Sequence, residues 1–282
     1  MTQPLLEVLT KAADYLKDKG VPQARLDAEL LLARVLNVKR LDLYLQFDRP
    51  LIEGELAGYR EFIRRRGKRE PLQHIEGEVE FRELRLKVDG RALIPRPETE
   101  LIVDILKKHS AGFDRPRILD IGVGTGAIAL SAIREIPNSE VSASDISPLC
   151  LELTRENASL NSLVPPELFL GSLFEPFPVE KRWHLIVSNP PYIREGDIAS
   201  LQPEVRDFDP HLALSGGEQG WELPLALMQS AFNRLEPHGI LILEIDPSQF
   251  ETLKKEALSQ GWAQVEGVSD YQHSQRFLVA NR

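Results

Sequence analysis

The sequence predicts an α/β protein with a doubly wound, mostly parallel seven-stranded sheet that follows a small helical domain. From residue 116 onward, short apolar runs alternate with longer segments of helical spacing, a rhythm typical of a parallel sheet covered by helices. Up to about residue 75 the apolar positions follow helical spacing instead. A glycine-rich segment comes directly after the first strand, which indicates a nucleotide or nucleoside site.

Composition limits the class of protein. A chain of 282 residues is long for one domain and predicts one large domain with a smaller companion. The single cysteine, Cys150, excludes an intramolecular disulfide framework and a Cys-rich metal site, and we expect it to be a buried core residue. No apolar run reaches the roughly 18 residues of a membrane span, and the N-terminus lacks a signal-peptide layout, so we expect a cytoplasmic protein.

Charge is unevenly distributed along the chain. The first 90 residues carry a net charge of +1 and the remaining 192 carry −10, which together give the net charge of −9. An acidic body argues against stable nucleic-acid binding, which depends on neutralising phosphates. A basic tract, Arg60 and then residues 64–69, leaves two interpretations open: a solvated helix end, or a contact with RNA or an acidic partner.

The first part of the chain is predicted to form a helical substrate-recognition domain over residues 1–75. Helices are expected at 4–19, 22–36 and 52–66, with a short segment at 41–45. A linker over 76–97 contains a hairpin at 78–88 that turns at Arg82-Glu83. Pro95 and Pro97 then impose an extended backbone before a helix at 100–108, which Thr99 or Glu98 can begin.

The second domain is predicted over residues 98–282. Strands are expected at 117–121, 140–144, 167–170, 184–188, 240–245, 263–268 and 276–280, and helices at 126–135, 148–160, 219–236 and 247–260. The last two strands have only a short connection and should pair antiparallel. The long connection 193–218 is typical of a functional lid or a disordered segment.

The glycine-rich segment runs from Gly122 to Gly126 after the strand that contains Asp120. Glycines allow a positive φ and a close backbone approach at a helix N-terminus. Gly122, Gly124 and Ala127 also satisfy the dinucleotide pattern G-x-G-x-x-A, with Asp145 placed for a ribose. However, an anion at Asp120 opposes a pyrophosphate and suits a cationic amino-acid tail. This favours S-adenosylmethionine as the cofactor, which has a ribose, a sulfonium and no phosphate.

A second motif, Asn189-Pro190-Pro191-Tyr192, ends the apolar run at 184–188. Two prolines stop the strand and turn the chain out of the sheet at the edge where α/β proteins bind ligands. An amide or exocyclic amino group could donate its hydrogens to the Asn189 side-chain oxygen and the Pro190 carbonyl, while Tyr192 stacks on its plane. This arrangement predicts methyl transfer to a planar nitrogen.

Other candidates are weaker. The six histidines show no metal-ligand spacing, and no metal site is expected. Glu244 could reach the cleft from the end of a strand, although helix capping by Asp246 or Ser248 accounts for the polar residues there. Turn formation accounts for Asp209-Pro210 and for residues 215–217.

Together the motifs resemble a known family. Asp120, Gly122 to Gly126, Asp145 and Asn189 to Tyr192 are similar to class I S-adenosylmethionine-dependent methyltransferases, a Rossmann-like fold, that act on amide or amino nitrogen. Residues 69–75, the segment Leu93-Ile94-Pro95-Arg96-Pro97-Glu98-Thr99-Glu100 and the loop at 204–214 narrow the resemblance to bacterial enzymes that methylate the glutamine side-chain nitrogen of peptide chain release factors. The resemblance covers essentially the whole chain.

The resemblance implies S-adenosylmethionine as cofactor and class-1 release factors as protein substrate, methylated at the glutamine of their Gly-Gly-Gln loop. The helical domain would help to grip the release factor. Relatives often carry Asp where this chain has Ser172, so contacts from Leu173 are expected at the adenine, and Glu244-Ile245-Asp246 replaces a glycine-containing version of that strand end. The implied cofactor residues are Asp120, Gly122, Val123, Gly124, Thr125, Gly126, Asp145, Leu173 and Asn189; those for substrate and catalysis are Asn189, Pro190, Pro191 and Tyr192.

Two alternatives remain at this stage. An adenine-N6 methyltransferase for DNA or RNA would use the same Asn-Pro-Pro-Tyr corner, but it would need a broad basic surface. A binding module for the release factor or ribosome that keeps the fold without activity is the second. The intact glycine-rich loop beside Asn189 argues against such decay.

Overall fold

A computed structural model describes residues 3–282, so Met1 and Thr2, with which the predicted helical domain begins, lie outside the described residues. The chain divides into two compact units. The first consists of residues up to Gly77 together with Gln202–Phe208, and the second of Glu78–Leu201 together with Asp209–Arg282. The domain boundaries at 75 and 97 drawn from the sequence stay a prediction.

The first unit is helical, as predicted. Its amphipathic helices enclose a core of leucines, alanines and Tyr59, whose phenol donates to the Ala28 carbonyl over 2.9 Å. A short helix at 72–76 was missed, because five residues with one buried apolar side chain give no periodic signal. The elements are α1 Leu5–Asp18, α2 Ala24–Leu36, a 3-10 helix Arg40–Leu45, α3 Glu53–Gly67, α4 Leu72–Glu76 and α8 Pro203–Arg206, with a two-residue strand pair Gln3–Pro4 and Pro50–Leu51.

The basic tract is paired with carboxylates inside the first unit. Arg66 is buried and donates to Asp27 at 2.7 Å and to Glu204 at 2.9 Å, and Arg69 forms a two-point contact with Glu204 at 2.7 and 2.6 Å. Burial alone would raise the pKa of Glu204, but the hydrogen bonds from Arg69 and Arg66 outweigh it and lower that pKa. The tract therefore supplies ion pairs to its own unit, including the segment Gln202–Phe208.

The second unit contains a seven-stranded sheet with the predicted doubly wound, mostly parallel arrangement. Its strands, numbered within this sheet, lie in the order β6-β7-β5-β4-β1-β2-β3, and only β7 runs antiparallel to its neighbours. Helices cover both faces over two apolar clusters. The strands are β1 Arg117–Ile121, β2 Glu140–Asp145, β3 Glu167–Leu170, β4 Trp183–Ser188, β5 Leu235–Glu244, β6 Gln264–Ser269 and β7 Gln275–Asn281; the helices are α5 Glu100–Ser110, α6 Ala127–Glu135, α7 Pro148–Leu160, α9 Glu222–Phe232 and α10 Phe250–Ser259.

One predicted helix is too long. The helix expected over 219–236 is α9, Glu222–Phe232, and Leu235 already pairs with Trp183 as the start of β5. Leu235 is fully buried. A buried leucine fits the last turn of a helix as well as the first residue of a strand, so its hydrophobicity did not distinguish the two elements. At the other end, Gly220 has a φ of 83°, which places residues 219–221 in a turn before the helix.

The part of the long connection that belongs to the second unit has local structure. It forms a parallel pair of short strands, Ile193–Arg194 with Ser215–Gly217, and 3-10 helices at Glu195–Ser200 and His211–Ala213. Ile198 and Leu214 are buried there. The predicted hairpin is also present, as Glu78–Phe81 paired antiparallel with Leu84–Lys87.

Candidate active site

A cavity of about 510 Å³ opens in the second unit at the carboxyl ends of β1, β2, β3 and β4. This is the edge at which parallel α/β sheets bind ligands, and the volume is in the range of small-molecule sites. Its walls come from the loops after these strands, from the stiff segment before α5 and from the second half of the 193–218 connection. The lining includes Arg91–Leu93, Pro95, Arg96, Thr99, Ile121–Thr125, Ala127, Ile128, Ser144–Ser147, Cys150, Gly171–Leu173, Ser188–Pro191, Pro210–Ala213, Ser215, Leu223 and Leu227.

The glycine-rich loop lies across one wall of the cavity. Gly122, Gly124 and Gly126 all have positive φ, at 76°, 54° and 86°, which side chains with a Cβ rarely adopt. The N–H groups of Gly122 and Val123 donate to the Ser144 carbonyl at 2.8 and 3.0 Å. The loop is therefore folded back onto the end of β2, and its residues Gly122 to Thr125 line the cavity.

Two residues of α7 hold the glycine-rich loop from behind. Asn157 is fully buried and donates to the Thr125 carbonyl at 2.8 Å, and Thr154 donates to the Gly124 carbonyl at 3.2 Å. Asn157 also exchanges hydrogen bonds with the backbone of Lys87 in the hairpin. Sequence analysis missed both, because one Thr and one Asn in an amphipathic helix give no local signal.

Gly126 acts through packing. A Cβ at this position would lie 2.9 Å from Cγ2 of Thr154 and 3.0 Å from Cδ1 of Leu130, closer than real side chains approach. It does not line the cavity but allows α6 to begin against α7. Gly126 was predicted to bind the cofactor, but in this structure it packs behind the residues that line the cavity.

Two carboxylates lie under the loop. Asp145 lines the cavity, and its oxygens accept hydrogen bonds from Gly124 N–H at 3.0 Å and Ser147 N–H at 2.9 Å. Asp120 is buried behind the wall, where one oxygen accepts from Ala129 N–H at 3.1 Å and the other, Oδ1, has no partner among residues 3–282. Burial and the nearby charge of Asp145 raise the pKa of Asp120 to about 7.

The Asn189 corner also lines the cavity, at the end of the neighbouring strand β4. Asn189, Pro190 and Pro191 line the cavity. The Asn189 amide donates through Nδ2 to Oγ1 of Thr99 at 3.2 Å, and the Thr99 hydroxyl donates to the Glu244 carboxylate at 2.7 Å. Among the hydrogen bonds of residues 3–282, none uses Asn189 Oδ1 or the Pro190 carbonyl oxygen. These two acceptors are available to a ligand.

Tyr192 does not line the cavity. Its phenol donates to Glu244 at 3.4 Å, and burial raises its pKa above the ordinary value. Its backbone carbonyl accepts from Gln249 at 2.8 Å. A Cβ on Gly216 would lie 2.7 Å from the Tyr192 Cα, so a glycine is needed for this close approach. Tyr192 supports the corner in this structure, and its stacking on a substrate stays a prediction.

The stiff segment before α5 contributes a further wall, as expected. Pro95, Arg96 and Thr99 line the cavity. Arg96 donates to Asp209 at 2.9 Å, which ties this segment to the loop that carries Pro210. Burial raises the pKa of Asp209 to about 6 although Arg96 opposes the shift. Thr99 occupies the N-cap position of α5, as expected, but its hydroxyl makes no capping bond because it donates to Glu244.

Asp246 and Cys150 have structural roles. Asp246 caps the 3-10 helix at 247–249 by accepting from Ser248 N–H at 2.9 Å, as expected. Cys150 is buried, and burial raises the pKa of its thiol to about 12. Leu173 lines the cavity with a φ of 47°, uncommon for a bulky side chain.

Among residues 3–282, no group of three or more His, Cys, Asp or Glu is placed to hold a metal, and no helix is long and apolar enough to cross a membrane.

The residues around the cavity fit S-adenosylmethionine better than a dinucleotide. The glycine-rich loop presents backbone groups beside Asp145, an acceptor suited to ribose hydroxyls. Asp120, with an unpartnered buried oxygen, favours a cation. Both arginines of the lining are already paired with carboxylates, Arg91 with Asp89 and Glu156, and Arg96 with Asp209. A pyrophosphate bound here would therefore lie near carboxylates, with no unpaired arginine in the lining to neutralise its charge.

Comparison with known proteins agrees with this geometry. The chain matches the PrmC N-terminal domain over residues 7–77 and the methyltransferase small domain over residues 97–204. A crystal structure of a methyltransferase from Pyrococcus furiosus has the same fold, with a TM-score of 0.52 and 21% identity over 70% of this chain and 88% of that chain.

Full-length relatives identify the family. The release factor glutamine methyltransferase of Deinococcus radiodurans is 42% identical over 99% of this chain and 98% of its own length. The enzyme of the same name from Geobacter sulfurreducens is 42% identical over 88% of this chain and 86% of its own length. With identities at this level over both units, the chain belongs to the family of release factor glutamine methyltransferases.

Proposed function

We propose that this protein transfers the methyl group of S-adenosylmethionine to the side-chain amide nitrogen of the glutamine in the Gly-Gly-Gln loop of class-1 release factors. The observation that carries the proposal is the pair of available acceptors, Asn189 Oδ1 and the Pro190 carbonyl, at a corner that lines the same cavity as the glycine-rich loop. Two acceptors match the two hydrogens of a primary amide. Because release factors act in translation, we place the protein in the cytoplasm.

The corner residues hold the reacting nitrogen. The lone pair of a primary amide is delocalised into its carbonyl, so the nitrogen is a weak nucleophile. Hydrogen bonds from its two N–H groups to Asn189 and Pro190 fix the nitrogen in position and stabilise the positive charge that it gains during attack. Asn189 and the Pro190 carbonyl would hold the nitrogen while it gains the methyl group, and the nitrogen would then release one proton to water.

The cofactor supplies an electrophilic methyl group on a good leaving group. The chain's contribution is binding and charge: Asp145 is placed for the ribose hydroxyls, Asp120 favours the cationic end, and Gly122 to Thr125 provide the backbone surface. Leu173 lies in the loop after β3 and supplies an apolar contact for the adenine. No strong general base is required before attack, since the amide loses its proton only after the bond has formed.

The two units divide the work in this proposal. The helical unit contacts the body of the release factor, and the sheet unit carries the cofactor and the reacting glutamine. We retain the boundaries 1–75, 76–97 and 98–282 for these roles. The arginines of the basic tract that pair with Asp27, Glu70 and Glu204 are committed within the helical unit, which disfavours a phosphate-binding role for them.

The test offers a release factor, duplex DNA and tRNA separately to the purified protein with labelled S-adenosylmethionine, and mass spectrometry locates the label. We expect label on one release-factor glutamine and a loss of at least about 100-fold in kcat for Asn189→Ala, the scale seen when one preorganised polar group is removed from an active site. Label on adenine in DNA or tRNA would replace the proposal with nucleic-acid methylation. Binding of the release factor with no transfer to any substrate would support a binding module.

A further inference from the structure

A chain of hydrogen bonds leads away from the Asn189 corner into the protein interior. It runs from Asn189 Nδ2 to Thr99 Oγ1 over 3.2 Å and from the Thr99 hydroxyl to Glu244 over 2.7 Å. Thr99 is 4% exposed and Glu244 is 1% exposed, so the bond between these two residues is shielded from water. The three residues come from distant parts of the sequence: the turn before α5, the end of β4 and the end of β5.

While Glu244 is ionised, the hydrogen bonds from Asn189 through Thr99 to Glu244 can run in one direction only. An ionised carboxylate accepts hydrogen bonds and cannot donate, so the single hydroxyl proton of Thr99 must point to Glu244. The Thr99 oxygen can then only accept from Asn189, and an acceptor attracts the NH2 end of the amide. With Nδ2 committed to Thr99, the Asn189 oxygen is turned to the cavity side, where it meets the ligand.

We propose that Glu244 and Thr99 are positioning residues that set the polarity of the Asn189 amide, so that it presents an acceptor to the substrate's NH2 group. The inference rests on the proposed function and deepens it. An amide turned the other way would present its own NH2 group to the glutamine NH2, donor against donor, and would hold the substrate poorly. An asparagine amide has no intrinsic preference between the two orientations, so the Glu244 carboxylate determines the orientation through Thr99.

The surroundings of Glu244 support this role. Its other oxygen accepts from the Tyr192 phenol at 3.4 Å, so both oxygens have donors from the substrate corner. Arg276, held by Asp270 at 2.9 Å, adds a nearby positive charge, and Glu98 adds a negative one. Burial raises the pKa of Glu244 above its ordinary value against the opposing effects of Thr99, Arg276 and Tyr192. When Glu244 takes up a proton it becomes a donor, and the direction of the chain is no longer imposed.

The experiment compares Thr99→Val, Thr99→Ser and Glu244→Gln with the wild type, using release factor as substrate. Valine keeps the shape of Thr99 without the hydroxyl, serine restores the hydroxyl, and glutamine can donate as well as accept. Thr252→Val, on the exposed face of α10, is the control for the same chemical change away from the cavity. kcat, KM for the release factor and the Kd of S-adenosylmethionine by calorimetry are measured for each protein between pH 5.5 and 8.5.

We expect kcat to fall about 10- to 100-fold in Thr99→Val, below the loss in Asn189→Ala because the amide is still present but unoriented. Thr99→Ser should recover most of that loss, and the Kd of S-adenosylmethionine should stay within about threefold of wild type. Glu244→Gln should lower kcat, because glutamine can donate to Thr99 as well as accept from it and no longer imposes one direction on the hydrogen bonds.

The outcomes separate the two levels of the proposal. An unchanged kcat in Thr99→Val would overturn the positioning role, and so would a parallel loss of cofactor binding, which would show a general structural defect. Wild-type protein that leaves the release factor unmethylated would instead reject the proposed function itself. Equal losses in Thr99→Val and Thr99→Ser would also overturn the inference, because the hydroxyl would not be the cause.

Discussion

Replacing Asn157 by alanine tests how the glycine-rich loop is held. This side chain is fully buried and makes three hydrogen bonds: it donates to the Thr125 carbonyl at 2.8 Å and to the Lys87 carbonyl at 3.1 Å, and it accepts from Lys87 N–H at 2.7 Å. Alanine leaves these backbone groups without a partner. At about 1 kcal/mol for each hydrogen bond, of which one is buried and two are partly buried, we expect the free energy of unfolding to fall by about 3 kcal/mol.

Asn161, the C-cap of the same helix, provides a control. It makes the equivalent pair of bonds to Arg85, accepting from its N–H at 3.0 Å and donating to its carbonyl at 2.7 Å, but these bonds are exposed to solvent, and its Nδ2 also donates to the Asn157 carbonyl at 2.8 Å. Water can replace the exposed bonds, so Asn161→Ala should cost about 1 kcal/mol. Only Asn157 contacts the glycine-rich loop, and only its loss should weaken S-adenosylmethionine binding, by about tenfold.

Urea denaturation followed by tryptophan fluorescence measures the first effect. All three tryptophans, Trp183, Trp221 and Trp262, lie in the second unit, so the signal reports the unit that contains Asn157. Calorimetric titration with S-adenosylmethionine measures the second effect. A difference of less than about 1 kcal/mol between Asn157→Ala and Asn161→Ala would refute the reasoning from burial.

Two other predictions concern the cofactor wall. Asp120 has a pKa of about 7 in the free protein, and a cation beside it stabilises the ionised form, so S-adenosylmethionine binding should release a proton at low pH. The affinity for S-adenosylmethionine should then fall by up to about tenfold per pH unit as the pH drops below 7. Calorimetric titrations of Asp120→Asn should show a weaker dependence on pH. A wild-type affinity that does not change from pH 6 to 8 would contradict this prediction. Gly126→Ala combines a φ of 86° with a Cβ 2.9 Å from Thr154, so we expect a loss of about 2–4 kcal/mol in urea denaturation. A stability within about 0.5 kcal/mol of wild type would show that the α6–α7 contact yields to the methyl group.

Periodicity was sufficient for the regular elements. All seven strands of the large sheet and the long helices were predicted, because β-branched buried strands and amphipathic helices have different periods. The glycine-rich loop and the Asn189 corner were also found, since each lies next to its strand in the sequence. Errors arose where an element was short, as in α4, or where a buried residue fits two elements, as at Leu235.

The site beyond these motifs could not be predicted from local patterns. Thr99 is at the start of α5, as expected, but its hydroxyl donates to Glu244, 145 positions away, and not to the helix backbone. Tyr192 was expected to stack on the substrate, but its phenol also points to Glu244. Asn157 holds a loop 32 positions away. None of these partnerships has a sequence signature, because each depends on which loops meet after the sheet has formed.

The sequence by itself determined the fold class and the positions of the glycine-rich loop and the Asn189 corner, because these depend on periods and motifs only a few residues long. Tertiary structure alone decided the direction in which the Asn189 amide faces. That direction depends on a proton on Thr99 and a carboxylate on Glu244, and these come together only when the end of β5 lies beside the end of β4.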